Sequence, residues 1–512
     1  MKRRGASVSD GSPTRYRFGP LERRGLVAGW RGGQIGAVAI ALVVGVGVVR
    51  ASASPVGVVV ALAVLAIGVG VATWPIAGRT PEEWAPDALR HAVAFGRRSG
   101  AGPGPFVGIR LIRVDPSVPE SDESAVVAAG IGVLHDRPRR TFTAVLGASV
   151  SGFVLLSEAD KVRRVGAWSG VLASLARDGS AVHRLQWVER VVSADDRSGP
   201  VTAGAGADTG AEAVGRERGN GLAAARASYE ALVGSEAHAS LRHEVLLAVS
   251  IHVGRSARAV KTAGGGDAGA SVVLLREVAA LRRRLADASI DVGAALSPEM
   301  LAAAVRGAYG TGTGTGTRTT PRRESRIPPQ RTTEPARSTA GPWPWPMGVA
   351  AEWSRLRADG TWHTTYWVAE WPRTDAGPDF LGPLLLSSEV RRAMSVVMEP
   401  LGPVEASRKV EQARTADIAD AELRRRGGFL ATARRRREEE ILVRREVELA
   451  DGHAQYRFSG YVTVSASDPD ALEEACGRVE QSAGQAGLEL RRCYGDQANT
   501  FLCTLPLGRG LA

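Results

Sequence analysis

The chain has 512 residues, and its 65 lysines and arginines outnumber its 54 acidic residues to give a formal net charge of +11. The length favours about three domains of roughly 150 residues each. A composition rich in Ala, Gly and Arg excludes a chain that is disordered throughout. A basic chain can bind nucleic acid or an anionic membrane surface, although Arg-rich genomic bias explains the same charge.

The first predicted element is a helical hairpin, formed by two apolar runs at 33–49 and 56–74 on either side of Arg50. A single helix of about forty residues would be about 60 Å long, twice the thickness of the hydrocarbon core of a bilayer. The segment Ala-Ser-Ala-Ser-Pro after Arg50 favours a turn. The sequence therefore predicts two transmembrane helices with Arg50 in the loop between them. A buried hairpin in a soluble core is the alternative.

Basic residues flank the predicted hairpin on both sides, from Lys2 to Arg31 before it and from Arg79 to Arg98 after it. The positive-inside rule places both ends of such a chain in the cytoplasm. We therefore expect a multi-pass plasma-membrane protein with two helices and with cytoplasmic N- and C-termini.

The remaining sequence divides by composition. The segment 310–340 has only Ile327 as a large apolar residue, so it cannot bury itself and separates two bodies. The predicted regions are a basic cytoplasmic N-terminus (1–32), the transmembrane hairpin (33–74), a juxtamembrane helix and joint (75–104), a first α+β module (105–192), a second, helix-rich α+β region (193–309), a disordered linker (310–341) and a C-terminal α+β module with a long charged helix (342–512).

Apolar periodicity predicts the elements of these regions. Strands are expected at 106–113, 130–136, 141–147, 152–156, 182–192, 244–253, 456–466, 488–494 and 500–505. Helices are expected at 82–98, 157–177, 222–232, 268–288, 298–308, 404–452 with a break at Gly427-Gly428, and 468–486. Asp359-Gly360 indicates a hairpin turn. The predicted fold class is a membrane-anchored α+β protein, in which an N-terminal transmembrane helical hairpin is followed by two or three cytosolic α+β (ferredoxin-like) modules.

No phosphate-binding loop is present in the sequence. The motif G-x-x-x-x-G-K-[ST] fails at Lys261-Thr262, because Val260 stands where glycine is required. Gly264–Gly266 precede a helix whose N-terminus could hold an anion, but Asp267 would repel phosphate and cap the helix instead.

Other catalytic and metal-binding patterns are also lacking. His238 and His243 are five residues apart, whereas a helical zinc site uses histidines four apart. The three cysteines, Cys476, Cys493 and Cys503, show no Cys-x-x-Cys spacing, which argues against a disulfide framework or a zinc site and predicts buried apolar side chains in a reducing compartment. We therefore predict no catalytic, cofactor-binding or metal-binding residues, and no cofactor.

Two features leave alternatives open. Six of the eleven tryptophans lie between Trp343 and Trp371, where they can stack nucleobases, fill a sheet core or form a protein interface. Arg434–Arg437 precede Glu438–Glu440 in the long charged helix, which is typical of a solvated or coiled-coil-like helix with i,i+4 ion pairs. Contact of these arginines with DNA is the alternative.

Several motifs together resemble a family of actinobacterial membrane proteins associated with conjugative-element and type IV-like secretion loci. They cover nearly the whole chain, and they include RYRFGPLERRGLVAGWRGGQ, GVLHDRPRRTFTAVL, HRLQWVER, GGGDAGASVVLLREV, GPWPWPM, YWVAEWPRTDAGPDFLGPLLL, ARTADIADAELRRRGGFLATARRRREEE and FLCTLPLGRGL. The resemblance implies a PrgI-like two-helix hairpin fused to a region like the amino-terminal domain of the type IV secretion ATPase, without its motor domain. It implies a separate ATPase chain and other membrane channel subunits as partners, in an oligomeric machine.

The expected function is that of a noncatalytic, membrane-anchored assembly or docking subunit of a type IV-like secretion or conjugation apparatus, which recruits a separate cytoplasmic ATPase. The alternatives are a type VII secretion-like membrane subunit, a membrane-bound enzyme of unknown chemistry, and a DNA-handling module. Salt-dependent DNA binding would distinguish the last of these.

Overall fold

The computed structural model of the chain describes residues 32–52, 54–73, 88, 104–115, 130–148, 156–177, 179–193, 241–310, 344–386, 390–426 and 433–511. Apart from single residues, the predicted basic N-terminus, the helices at 82–98 and 222–232, the strand at 152–156 and the linker at 310–341 lie outside these ranges.

The predicted N-terminal hairpin is helical. Helices α1 (Gly32–Ala51) and α2 (Pro55–Thr73) pack closely, since a Cβ added at Gly45 would lie 3.4 Å from the carbonyl oxygen of Ala61. Arg50 lies in the last turn of α1 and not in the loop where the sequence placed it. Most of the large apolar side chains of both helices are exposed.

Within the described part of the chain, no helix is long and apolar enough to cross a membrane. On this finding, the predicted transmembrane hairpin, the membrane-anchored fold class and the plasma-membrane localisation are wrong.

The body is built on one antiparallel sheet with the strand order β1-β2-β3-β5-β4-β10-β11-β9-β8-β7, in which β6 also pairs with β3 and β12 with β9. The strands are β1 (Ile109–Val114), β2 (Ile131–Asp136), β3 (Thr141–Ala148), β4 (Val182–Ser193), β5 (Leu241–His252), β6 (Val292–Ala295), β7 (Val349–Ala351), β8 (Leu356–Ala358), β9 (Thr361–Glu370), β10 (Arg392–Leu401), β11 (Gln455–Ala466) and β12 (Glu489–Arg492). Because β4 pairs directly with β10, this sheet replaces the separate ferredoxin-like modules that the sequence predicted.

Nine more helices are described in the body. They are α3 (Glu158–Leu175), α4 (Ala257–Thr262), α5 (Gly266–Asp287), α6 (Pro298–Arg306), α7 (Gly382–Leu385), α8 (Pro403–Arg426), α9 (Ala433–Ala450), α10 (Pro469–Gln485) and α11 (Gln497–Phe501). The predicted strand at 500–505 is wrong, because α11 and a 3₁₀ turn at Leu502–Thr504 occupy it.

Local signals in the sequence explain where several elements begin. The hydroxyl groups of Ser157 and Ser297 accept hydrogen bonds from the backbone amides of Asp160 and Met300 at the starts of α3 and α6. The tight turn between β8 and β9 has positive φ angles of 45° at Asp359 and 93° at Gly360. These angles favour Asp-Gly, so the predicted hairpin turn is confirmed.

The sheet consists of two repeats of one topology. When the strands of each repeat are numbered 1 to 6 along the chain, they lie in the order 1-2-3-5-4 from the edge of the sheet to its centre. The short strand 6 pairs with strand 3. The first repeat runs from β1 to α6 and the second from β7 to α11. The fourth strands, β4 and β10, pair antiparallel at the centre, so an approximate two-fold axis relates the repeats.

Individual contacts recur in both repeats. The buried hydroxyl groups of Thr143 and Ser250 lie 2.7 Å apart on β3 and β5, and those of Thr365 and Thr463 lie 2.9 Å apart on β9 and β11. The register of β3 against β6 shifts between Leu146 and Ala148, and the register of β9 against β12 shifts in the same way. These matches place Trp187 and Val396, which are paired across β4 and β10, at the axis.

Helices and a C-terminal segment cover the two faces of the sheet. Helices α3 and α5 bury one face of the first repeat, helix α10 buries the same face of the second, and Trp187 contacts both clusters. The other face packs on α6, α11 and the segment Leu505–Leu511, which we call the strap. This face is concave, because Phe106 before β1 and Trp345 before β7 meet with ring centroids 5.3 Å apart.

Candidate functional site

Charged side chains converge where the central strands β5, β4, β10 and β11 end together. Glu399 lies near the end of β10 and is directly opposite Arg457 of β11. A β-bulge between Val182 and Arg184 disturbs the start of β4. Such a bulge redirects side chains, and His183 and Arg184 both approach Glu399.

Glu399 accepts hydrogen bonds from three guanidinium groups. Its Oε1 atom lies 2.7 Å from Nη1 of Arg255, and its Oε2 atom lies 2.8 Å from Nη2 of Arg457 and 3.4 Å from Nε of Arg184. The Nδ1 atom of His183 lies 3.8 Å from Oε1. We call Arg184, Arg255 and Arg457 around Glu399 the arginine cluster.

The cluster holds Glu399 ionised and His183 neutral. Burial by itself raises the pKa of Glu399, but the hydrogen bond from Arg457 and the neighbouring positive charges outweigh burial and hold the pKa below its usual value. Burial and the charge of Arg184 lower the pKa of His183 well below its usual value. The cluster therefore carries three positive charges and one negative charge at neutral pH.

The strap lies against the inner side of the arginine cluster. Arg184 donates hydrogen bonds to the backbone oxygens of Gly508 (3.2 Å) and Leu511 (2.9 Å). Arg509 forms a buried ion pair with Asp136, 2.6 Å from Nη2 to Oδ2. The strap thus fixes Arg184, whereas Arg255 and Arg457 extend toward solvent.

A pair of antiparallel helices leaves the sheet next to the cluster. Helix α8 follows β10 directly, and α9 leads back to β11; we call α8 and α9 the arm. Ala406, Val410 and Ala413 are buried on α8. Among the described elements, each of the two helices makes its extensive contacts with the other. The predicted charged helix with a break is thus present, while residues 427–432 between its halves lie outside the described ranges.

One face of the arm combines apolar side chains with an ion pair. Arg414 of α8 pairs with Glu446 of α9. On α8, Ile418 follows Arg414 by one helical turn. On α9, Val443 lies three residues before Glu446, and Val447 follows Val443 by one turn. Helical spacing therefore places the three apolar side chains on the same face of the arm as the ion pair. All three apolar side chains are more than half exposed. We call Ile418, Val443 and Val447 the arm patch.

The glycine loop before α5 is not a phosphate-binding loop in shape. Gly264, Gly265 and Gly266 all have positive φ angles, and the carboxylate of Asp267 in the first turn lies 3.6 Å from Nδ1 of His135. The carboxylate thus places a negative charge in the first turn, where it would repel an anion, and it makes no side-chain capping hydrogen bond. His238 lies outside the described residues, and His243 pairs with Glu189 at 2.6 Å.

The cysteines and tryptophans are mostly structural. Cys476, Cys493 and Cys503 are buried and form no disulfide bond with another described residue, which confirms the prediction that they are buried side chains. Trp345 lies in the core of the concave face, and the guanidinium of Arg355 covers the ring of Trp362 at 4.9 Å. Among the described residues, no group of three or more His, Cys, Asp or Glu side chains has the geometry of a metal site.

The sequence did not identify the arginine cluster or the arm patch. Arg184, Arg255, Glu399 and Arg457 come from four separate segments, and only the pairing of β5, β4, β10 and β11 brings them together. The available signal is a charged residue near the end of each of several strands that are otherwise apolar. The arm patch was detectable only as apolar residues in a charged helix.

No protein-family model matches the chain, and no curated protein matches it. What this site can do therefore follows from its own geometry and chemistry.

Proposed function

We propose that the chain is a noncatalytic assembly subunit of a type IV-like secretion or conjugation apparatus, and that its arm docks a separate ATPase chain. The observation that carries this proposal is the arm patch, an exposed apolar surface on a pair of helices that extends from the sheet. The identity of the partner rests on the resemblance described above, which implies a secretion ATPase as a separate polypeptide.

The shape of the arm suits a partner helix. Two antiparallel helices present a groove in which a third helix can pack its side chains. The arm patch supplies the apolar contact, since Ile418, Val443 and Val447 are otherwise exposed to solvent. The ion pair of Arg414 and Glu446, each about half exposed, lies beside it and can select the partner by charge.

Copurification with a type IV secretion ATPase from the same organism tests the proposal. The tagged full-length chain is coexpressed with that ATPase, and the amount of ATPase retained is measured. The double variant Ile418→Asp and Val443→Asp should retain at least about tenfold less ATPase, because it places two charges in an apolar contact. Circular dichroism checks that the variant is folded.

Val404→Asp is the matched control. Val404 is an exposed valine on the same helix, 77% exposed and several turns from the arm patch, so this variant should retain ATPase as the wild type does. Equal retention by the wild type and the double variant would refute docking by the arm. Failure of the wild-type chain to retain a soluble, folded ATPase would refute the proposed partner.

A further inference from the structure

The hairpin of α1 and α2 exposes a large apolar surface. Fourteen large apolar side chains of the two helices are between 36% and 71% exposed. Among the described elements, each of the two helices makes its extensive contacts with the other. An apolar patch on a monomeric protein rarely exceeds a few hundred Å², so a surface of this kind is typical of an interface.

Small residues join the two helices to each other and leave the large ones outside. A Cβ added at Gly45 would lie 3.4 Å from the carbonyl oxygen of Ala61. Ala41, one helical turn before Gly45, is buried as well. The contact within the hairpin therefore uses the small residues, and the larger side chains are available on its two outer faces.

One outer face carries an apolar stripe with the spacing of a helical bundle. On α1 the stripe follows steps of four and three residues through Ile35, Ala39, Leu42, Val46 and Val49, and on α2 it follows the same steps through Val58, Leu62 and Leu65. Side chains at this spacing pack between those of a facing helix. We call Ile35, Leu42, Val46, Val49, Val58 and Leu62 the hairpin seam.

The two halves of the hairpin seam lie on the same face of the hairpin. An antiparallel pair of helices has a local two-fold axis that exchanges the helices without exchanging their two outer faces. Leu42 lies three residues before Gly45, and Val58 lies three residues before Ala61, so this axis relates the two side chains. The seam is therefore one continuous surface across both helices.

The opposite face of the hairpin is less continuous. Its stripe on α1 runs through Gly36, Ile40 and Gly47, and a Cβ added at either glycine would meet nothing within 4 Å. The hairpin seam, which has larger side chains at the corresponding steps, is the better surface for packing another pair of helices.

We propose that the hairpin seam is the interface between two copies of this chain, whose hairpins pack face to face as a four-helix bundle. The seam is self-complementary, because a two-fold axis brings the same apolar stripe together from both copies. Two helices of this length present a face about 30 Å long and about 20 Å wide, or about 600 Å² on each copy. The pair then buries about 1,200 Å², which exceeds the about 1,000 Å² expected of a specific interface.

The charge of the hairpin favours a second copy over the surface of a membrane. A helix that lies on a lipid surface combines its apolar face with a polar face rich in Lys and Arg. Arg50 is the single charged residue between positions 32 and 73. The bundle spacing of the seam is also a requirement of packing against helices and not of contact with lipid.

Sedimentation equilibrium of the purified full-length chain tests this inference. The wild type should be a dimer at about 10 μM. The double variant Leu42→Asp and Val58→Asp should weaken self-association at least about a hundredfold, because it places two charges from each copy in an apolar interface. Circular dichroism checks that the variant is folded.

The double variant Ile40→Asp and Val56→Asp is the matched control. These residues are 67% and 71% exposed, and each lies five residues before Gly45 or Ala61, on the face opposite the seam. This variant should remain a dimer. A monomeric wild type, a dimer that persists in the seam variant, or equal losses in both variants would overturn the inference. Flotation of a monomeric wild type with vesicles of phosphatidylcholine and phosphatidylglycerol would overturn it too, and would identify lipid as the occupant.

Discussion

The side-chain nitrogen of Gln186 lies 2.8 Å from the hydroxyl oxygen of Ser395, and the two residues occupy equivalent positions in the two repeats. Each lies one residue before the central pair of Trp187 and Val396. The same amide group of Gln186 lies 2.9 Å and 2.8 Å from the backbone oxygens of Cys503 and Leu505. One buried side chain thus joins both repeats to the strap and to the 3₁₀ turn before it.

Gln186→Leu should destabilise the protein strongly. Gln186 is fully buried, and its Oε1 atom also accepts a hydrogen bond from the backbone amide of Gly508 at 2.7 Å. The substitution leaves several buried backbone groups without a partner, at about 1–3 kcal/mol each, so we expect a loss of at least about 3 kcal/mol in urea unfolding. Gln481→Leu, at an exposed position of α10, is the control. A loss below about 1 kcal/mol for Gln186→Leu would contradict this role.

Gly508→Ala should also be destabilising, for a steric reason. Gly508 has a φ angle of +66°, and an added Cβ would lie 2.2 Å from the hydroxyl oxygen of Ser250. Backbone strain and overpacking each cost about 1–3 kcal/mol, which should lower the melting temperature by several degrees. Gly166→Ala is the control, because its Cβ meets nothing on α3 and should stabilise by about 0.5–1 kcal/mol. An unchanged melting temperature for Gly508→Ala would show that the strap is not fixed as described.

Acid should destabilise the fold through His363. This side chain is fully buried, its Nδ1 lies 2.8 Å from the hydroxyl of Ser465, and its Nε2 has no hydrogen-bond partner among the described residues. Burial lowers its pKa to about 3. The unfolded chain, with a pKa of about 6.5, binds the proton first, so this stability is present above about pH 6.5 and is lost as the pH falls toward 3.

Urea unfolding between pH 7 and pH 4.5 measures this effect. The contribution of His363 to the slope of stability against pH approaches about 1.4 kcal/mol per pH unit. His363→Asn should reduce the slope of the wild type by this amount, whereas His453→Asn, at an exposed position, should not change it. Parallel pH dependences for the wild type and His363→Asn would be inconsistent with a neutral buried ring.

The central ion pairs of the two repeats are equivalent but opposite in polarity. Arg190 of β4 pairs with Glu244 of β5, and at the same places in the second repeat Glu399 of β10 pairs with Arg457 of β11. The repeat topology therefore accepts either polarity.

Charge reversal in the first repeat tests this equivalence. Glu244→Arg alone should cost about 3–5 kcal/mol, because it leaves Arg190 nearly buried beside a like charge. Adding Arg190→Glu should recover at least about 1 kcal/mol of this loss, measured as the coupling in a double-mutant cycle. Additive losses in the double variant would contradict the equivalence.

Much of the body was predictable from local sequence, and its assembly was not. Strands such as β2 and β11 and the caps at Ser157 and Ser297 follow from periodicity and capping chemistry, and the structure confirms them. The internal repeat was missed because equivalent positions differ in chemistry, as Arg190 and Glu399 do. No local sequence pattern indicates that the two repeats join through their fourth strands.

The largest errors of prediction came from interpreting apolar runs in the sequence without knowing how they pack in the fold. The apolar runs beside Arg50 predicted a membrane hairpin, and the structure describes no helix there, or elsewhere in its described ranges, that meets the requirements for crossing one. The residues 500–505 were predicted as a strand, yet 500–504 form the end of α11 and a 3₁₀ turn, and Phe501, Leu502 and Leu505 all pack in the core of the concave side. Tertiary packing overrides local preference there.

Photo-cross-linking from the arm tests the central claim most directly. A photoreactive amino acid replaces Val443 in the arm patch or, as the control, Val404 at the start of α8, and the full-length chain is irradiated with the secretion ATPase used for copurification. The account predicts a cross-linked product with the ATPase from position 443 and little from position 404. No product from position 443, or equal products from both positions, would contradict docking through the arm patch.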